Sequence, residues 1–242
     1  MKVKPILSGF TAPVSYKKLR PMDTAHIAHL LVPFIKQPLP PPALEHISTY
    51  VDLLLRWNSR INLTAIRNEE EIVTRHFGES LFLARHLFPD VQAPGHLPLT
   101  TGDLTRVLDI GSGAGFPGLP LKLWAPQIQL TLIESNHKKA AFLREVTRAL
   151  TLTDINVITD RAEVLAASPE FPRSEIVTLR AVESFETILP QAVALLRPRG
   201  TLALLIGFAQ VAHLATLPDV AWQTPIPVPE STKRVLAIGI RQ

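Results

Sequence analysis

The sequence predicts an α/β protein: a mostly parallel sheet covered by helices on both faces, with an antiparallel last strand and an N-terminal helical appendage. Three observations lead there. Short apolar runs alternate with helical patterns from residue 104 to 242, the order of βαβ units. The last two apolar runs have no helix between them, only the proline-rich turn TPIPVPEST, so the final strand should run against its neighbours. Residues 21 to about 90 keep a helical period and offer no strand.

Residues 1 to 20 read as an irregular arm carrying Lys2, Lys4, Lys17, Lys18 and Arg20 with no acid, which suits either a polyanion-binding segment or a solvated tail. A first helix is expected from about Thr24 to Lys36, where Ile27, Leu30, Leu31 and Phe34 form one apolar stripe, bent at Pro33 and ended by PLPPP at 38 to 42. A second begins near Ala43 and carries Ile47, Tyr50, Val51, Leu54 and Leu55 at helical spacing; residues 70 to 87 supply one or two more. These helices should pack against the main domain. Val91 to Asp103, with Pro94, Gly95, Pro98 and Gly102, reads as a linker. Seven strands then follow at about 106–111, 129–134, 155–158, 175–180, 201–207, 219–224 and 233–240. Helices are expected between them at about 117–125, 137–150, 161–167, 184–196 and 208–217.

The stretch RVLDIGSGAGFPG, residues 106 to 118, is the most informative. A buried strand runs into four glycines, where backbone can approach a ligand that any Cβ would obstruct. Gly113, Gly115 and Gly118 also satisfy the dinucleotide pattern, with Glu134 where a ribose-binding acid would sit. In that register, however, the strand must continue through Gly111 and Ser112, and Pro117 removes an N–H from the helix end that should hold a pyrophosphate. S-adenosylmethionine has no phosphate and meets neither objection. Asp109 could then face the positive methionine end of the cofactor, and Glu134, ending QLTLIE, its ribose hydroxyls. The plainer alternatives are that Asp109 caps the turn and that Glu134 is a helix-start acid.

At 242 residues and 46% hydrophobic content, the chain can bury one α/β core and a small appendage. It has no cysteine, hence no disulfide, thiolate metal site or cysteine nucleophile, and the covalent route to methylating a pyrimidine carbon is excluded. Histidines and carboxylates show no convincing metal-ligand spacing, and no metal is expected. No run approaches the roughly 18 apolar residues of a membrane span and the N-terminus lacks a signal peptide's pattern, so a soluble, cytoplasmic protein with no membrane partner is expected. Nothing in the sequence reads out the oligomeric state, and a monomer is the working expectation.

Three segments carry a family resemblance: WNSRINLTAIRNEEEIVTRHFGESL at 57–81, DIGSGAGFPGLPL at 109–121 and LRAVESF at 179–185. From about Leu44 to Gly207 the chain resembles the RsmG (GidB) family, whose members methylate nitrogen 7 of a guanine in bacterial 16S ribosomal RNA. The resemblance implies a class I S-adenosylmethionine-dependent methyltransferase fold, Rossmann-like, with a seven-stranded sheet. It also implies 16S ribosomal RNA or the small ribosomal subunit as partner. Carried over residue by residue, Gly111 and Phe116 match the glycine-loop contacts to the cofactor, Ala162 and Glu163 the contact to its adenine, and Arg180 an arginine at the cofactor and substrate site; Gly113, in the same turn, is expected to line the cofactor site as well. Taken alone, Phe116 could be core and Glu163 a solvated helix residue. Arg180, closing an apolar strand, is seldom placed so for packing.

Where methylases of exocyclic amines place Asn or Asp before Pro-Pro and an aromatic, this chain has Arg180, Ala181 and Val182. Guanine nitrogen 7 already carries an in-plane lone pair, so no general base is needed and Arg180 is expected to position the substrate. RNA contacts are expected from Arg75, His76, Arg161 and Asn62, with Arg60, Arg67, Lys138, Lys139 and Asn58 as further candidates. Trp57 reads as a helix anchor, with stacking on a base as the alternative. Two departures stand out: Ile206 occupies the place of a common family lysine, and Glu79 that of an aspartate. The other readings of this chain are a methyltransferase for a small molecule or protein, and a non-catalytic RNA-binding module.

Overall fold

A computed structural model describes residues 21–89, 105–181 and 185–242; the basic arm at 1 to 20 and the linker at 91 to 103 lie outside the described residues. The first five strands are β1 (Arg106–Ile110), β2 (Gln129–Ile133), β3 (Ile155–Ile158), β4 (Ser174–Arg180) and β5 (Leu196–Gly207). They are mutually parallel where they pair. β6 (Val220–Trp222), β7 (Ile226–Pro227) and β8 (Arg234–Arg241) follow. The sheet order is β3-β2-β1-β4-β5-β8-β6, with β7 paired to β8 off this path, and β8 runs antiparallel to β5 and β6. Winding reverses direction between β1 and β4. The crevice outside the C-terminal ends of those two strands is where open α/β sheets bind ligands.

Alternate side chains of the central strands feed two cores. Val107, Leu130 and Leu132 join one, which also contains the N-terminal helices, α5 (Gly118–Trp124) and α6 (His137–Ala149). Leu108, Ile110, Ile133, Val177 and Leu179 join the other, against α7 (Ala162–Ala167) and α8 (Phe185–Leu195). A 3-10 segment, Phe208–Thr216, links β5 to β6.

The N-terminal part contains α1 (Thr24–Leu31), α2 (Pro41–Asn58), α3 (Glu69–Glu71), a π-helical stretch Ile72–Gly78 and α4 (Glu79–Leu87). Four expectations change here. The first helix ends at Leu31 rather than bending on to Lys36, because Pro33 has no N–H to extend the ladder and the amides of Phe34 and Ile35 turn back onto the Leu31 carbonyl. The second starts at Pro41, two residues early, since a first-turn proline has no amide to lose. β5 starts at Leu196 instead of 201, because Leu196 already pairs with Ser174 before the register shifts to Ile176 and Thr201. The proline-rich turn contains β7, an eighth strand, because Ile226 and Pro227 lie beside Leu236 and Val235.

Tyr50 ties these helices to the glycine turn. Its ring is buried, stacks on Phe116 at 5.4 Å between centroids and meets Phe77 edge-on at 5.1 Å, while its hydroxyl donates to the Ala114 carbonyl at 2.5 Å. Trp57 packs on Phe142 of α6 at 5.6 Å, the anchor expected of it.

Asp109, in the middle of β1's apolar run, is fully buried and does not face the crevice. Strand alternation turns its carboxylate into the layer beneath α5, where Oδ2 accepts the Gly118 amide at 3.3 Å and Oδ1 the Thr178 hydroxyl at 2.8 Å. The expected contact with the methionine end of a cofactor is therefore corrected: Asp109 caps the turn. Burial pushes its carboxyl up to about 6, against the opposing pull of its hydrogen bonds to Thr178, Ser112 and Gly118 and the charge of Arg180.

Two stability predictions follow from these contacts. Tyr50→Phe strands the Ala114 carbonyl and should cost about 1–3 kcal/mol in urea denaturation; an unchanged midpoint would show the bond to be dispensable. For Asp109 the folded-state pKa lies above the ordinary 3.8, so the native chain binds the extra proton and loses stability as pH rises from about 4 to 6. Denaturation across that window should show a steeper fall for the native protein than for Asp109→Asn, and parallel curves would refute the buried-acid assignment.

Candidate active site

Three glycines make the turn after β1 possible. Gly111, Gly113 and Gly115 have φ of 65°, 55° and 88°, the left-handed region that side chains disfavour. At Gly115 a Cβ would also lie 2.2 Å from the Tyr50 hydroxyl. The Ser112 amide donates to the Ile133 carbonyl at 3.0 Å, joining the turn to the end of β2. There Glu134, nearly buried, accepts the Gly113 amide on Oε2 at 2.9 Å and the Asn136 amide on Oε1 at 2.7 Å. It serves the turn while still lining the crevice.

The crevice is an open cleft of about 690 Å³. Of the residues expected at the site, Gly111, Gly113, Phe116, Glu134, Arg161, Ala162, Glu163, Arg180 and His76 all line it. They come from the loops after β1, β2, β3 and β4 and from the π-helical stretch. Arg161 and Glu163 are exposed at the rim, Ala162 is buried at the start of α7, and Lys139 adds a third cation to the lining beside Arg161 and Arg180.

Arg180 ends β4 as a nearly buried guanidinium. NH1 donates to His76 Nδ1 at 2.9 Å, while NH2 donates to the Arg75 carbonyl at 2.7 Å and to Glu79 Oε2 at 3.1 Å. Burial lowers its pKa to about 10, which leaves it charged at neutral pH. Because a guanidinium only donates, His76 Nδ1 must be the acceptor and the ring proton sits on Nε2, which donates to Thr64 Oγ1 at 2.8 Å. The imidazole stacks on Phe116 at 4.7 Å, extending the Tyr50–Phe116 stack to the cleft wall.

The structure gives several of the residues expected to contact RNA other surroundings. His76 is not a cationic grip: burial, then the charges of Arg180, Arg234 and Arg75, lower its pKa to about 3. Arg75 turns away from the cleft to pair with Glu79 at 3.2 Å and Glu71 at 3.6 Å. Asn62 is exposed outside the lining, where its neighbours Leu63 and Thr64 stand instead. Asn58 is buried, its side chain bonded to the Leu63 and Thr64 amides and the Thr64 carbonyl, so it shapes that turn. Sequence reasoning missed Thr64 and the joint role of Glu79 and Arg234. Only the Arg75–Glu79 spacing hinted at the latter, since Arg234 arrives on β8. Among the described residues no helix is long and apolar enough to cross a membrane, and no group of three His, Cys, Asp or Glu side chains could hold a metal ion.

Residues 43–224 match the GidB family model, described as rRNA small subunit methyltransferase G. Curated relatives named ribosomal RNA small subunit methyltransferase G include one from Roseiflexus castenholzii, 43% identical over 159 residues, covering 65% of this chain and 62% of the relative. Another, from Xylella fastidiosa, is 40% identical over 193 residues, covering 78% of this chain and 82% of the relative. The chain thus spans under two thirds of the Roseiflexus relative's length. Among solved structures, an MtNAS variant matches with a TM-score of 0.55 at 11% identity, over 83% of this chain and 74% of that one. Pyrococcus horikoshii TYW2, crystallised with MeSAdo, matches at 0.50 and 12% identity, over 69% and 62%. These likenesses bear on the fold alone. With its family pattern and glycine turn accounted for together, the chain belongs to the rRNA small subunit methyltransferase G family.

Proposed function

We propose that this protein transfers a methyl group from S-adenosylmethionine to nitrogen 7 of a guanine in 16S ribosomal RNA, as free RNA or within the small subunit, in the cytoplasm. The observation that carries the reading is one sheet edge, in a member of this family, where a glycine turn, the Glu134 carboxylate and the Arg180 guanidinium converge on a single cleft.

The cleft suits this cofactor better than a dinucleotide. Pro117 has no amide, and the Gly118 amide at the start of α5 is already taken by Asp109, so that helix end has little to offer a pyrophosphate. Each Glu134 oxygen accepts one amide and keeps a lone pair for a ribose hydroxyl, and Ala162 and Glu163, both on the lining, would offer a backbone amide and a polar side chain to an adenine edge. Bound S-adenosylmethionine would supply an electrophilic methyl group on a sulfonium. The neutral His76 adds no repulsion to that positive centre.

The wall formed by Arg180 and His76 is built for alignment and holds no free base: Arg180 stays protonated, and the lone pair on His76 Nδ1 is held by Arg180. Guanine nitrogen 7 needs no deprotonation before it attacks, so positioning can supply the rate. Arg180 would donate to a phosphate or to the oxygen beside nitrogen 7 on the Hoogsteen edge, with Arg161 and Lys139 at the rim attracting the RNA backbone.

Mass-spectrometric mapping of 16S RNA incubated with the protein and S-adenosylmethionine should yield 7-methylguanosine, and a product without it would end this reading. Arg180→Ala should lower methyl transfer more than about tenfold with the fold intact by circular dichroism; full turnover would remove Arg180 from the site. Gly111→Val forces a side chain into the left-handed turn and should weaken calorimetric cofactor affinity more than about tenfold. Native affinity in that variant would place the cofactor elsewhere.

A further inference from the structure

One buried carboxylate behind the cleft serves three arginines. The Glu79 side chain is 1% exposed; Oε1 accepts from Arg75 at 3.2 Å and Oε2 from Arg180 at 3.1 Å, and the Arg234 guanidinium forms an ion pair with the same Oε2 at 3.1 Å. The three guanidiniums come from the π-helical stretch, the end of β4 and the start of β8. Glu79 thereby joins the helical part of the chain to two strands of the sheet. Arg75 has Glu71 as a second acid, at 3.6 Å, so the uncompensated charge falls on Arg180 and Arg234, the two less exposed members. Breaking a buried ion cluster costs more than forming it gains, which makes such a cluster better suited to holding a position than to adding stability.

The donors of Arg180 show what is held. Of its five N–H groups, the two on NH2 are committed to the Arg75 carbonyl and Glu79, and one on NH1 to His76. The Nε–H is buried and meets no acceptor among the described residues, and the same is true of Arg234 Nε. A planar guanidinium gripped on one side by Glu79 and on another by His76 cannot rotate, so with Nε buried its remaining Nη1 hydrogen keeps a fixed direction at the cleft wall. Arg234 lies opposite Gly207 in the β5–β8 pairing, close to the position where Arg180 pairs with Leu205. From there it shares the very oxygen that holds Arg180.

We infer that Glu79 and Arg234 are positioning residues that lock the Arg180 guanidinium, keeping its one remaining Nη1 donor aimed at an acceptor oxygen of the substrate. This rests on the reading of the cleft as a methyl-transfer site. Glu79 supplies the charge that retains Arg180; Arg234 keeps Oε2 of Glu79 from swinging toward Arg75.

Glu79→Gln would leave three guanidiniums around a neutral amide and could unfold the protein, so the test rests on Arg234→Gln in a double-mutant cycle with Arg180→Ala. Arg234→Gln should lower kcat on 16S RNA about fivefold or more, leave cofactor Kd within about twofold, and cost nothing further once Arg180 is alanine. Arg234→Lys, which restores the charge, should recover part of the loss. An equal loss in both backgrounds would mean a purely structural role, and an unchanged kcat would mean no role; either overturns the inference. A second readout needs no substrate. The Arg180 Nε–H resonance, assigned by its absence from Arg180→Ala, should broaden or shift in Arg234→Gln. If the native protein fails to methylate RNA, the functional reading falls, and an unmoved Nε–H resonance would then overturn the positioning role by itself.

Discussion

The backbone path from Ile110 to Gly118 is the constraint to which the rest of the structure is referred. Three residues there have positive φ, and four residues of the turn are held from outside it: Ser112 by the end of β2, Gly113 by Glu134, Ala114 by Tyr50 and Gly118 by Asp109. Side chains from two strands and a distant helix are used to fix a loop that has almost none of its own. A turn without Cβ atoms lets a ligand reach the backbone, but it also cannot pack itself into place. The surrounding polar and aromatic contacts supply the order that glycine lacks.

The same economy governs charge. Asp109 is withdrawn from the cleft to cap the turn, and its raised pKa reflects the cost of that burial. His76 is held neutral because Arg180 occupies its Nδ1 and because burial and nearby guanidiniums oppose a second positive charge. Arg180 is left as the charged group on the wall formed with His76 and Phe116, with Glu79 behind it. A wall of this kind has direction but no basicity, which suits a nucleophile that already carries its lone pair.

The departures from the family pattern also have physical locations. Ile206, in place of the common lysine, is 3% exposed within the second core and brings no charge to the sheet edge. Glu79, in place of an aspartate, sits at the centre of the arginine cluster, to which β8 contributes Arg234. β8 lies beyond residues 43–224, the stretch that matches the family model. Local pattern matching therefore had little purchase on that cluster.

Much of the fold was legible from residue order alone. Alternation of apolar runs and amphipathic stretches located the seven longer strands to within a few residues at most ends, and the missing helix before the last strand indicated its antiparallel direction. β7 went unread because two residues between prolines carry no period, and their pairing exists only once β8 is alongside. At the site, the glycines, Phe116, Glu134, Ala162, Glu163 and Arg180 were named from motif and strand-end position, and the cleft gathers all of them. What remained for tertiary structure was direction. Whether His76 is charged, and which guanidiniums besides Arg75 gather on Glu79, depend on Arg180 and Arg234, groups far away along the chain. Spacing along a chain specifies which residue types reach one sheet edge. Burial and long-range partners, which sequence order does not encode locally, decide where each side chain points and what charge it carries.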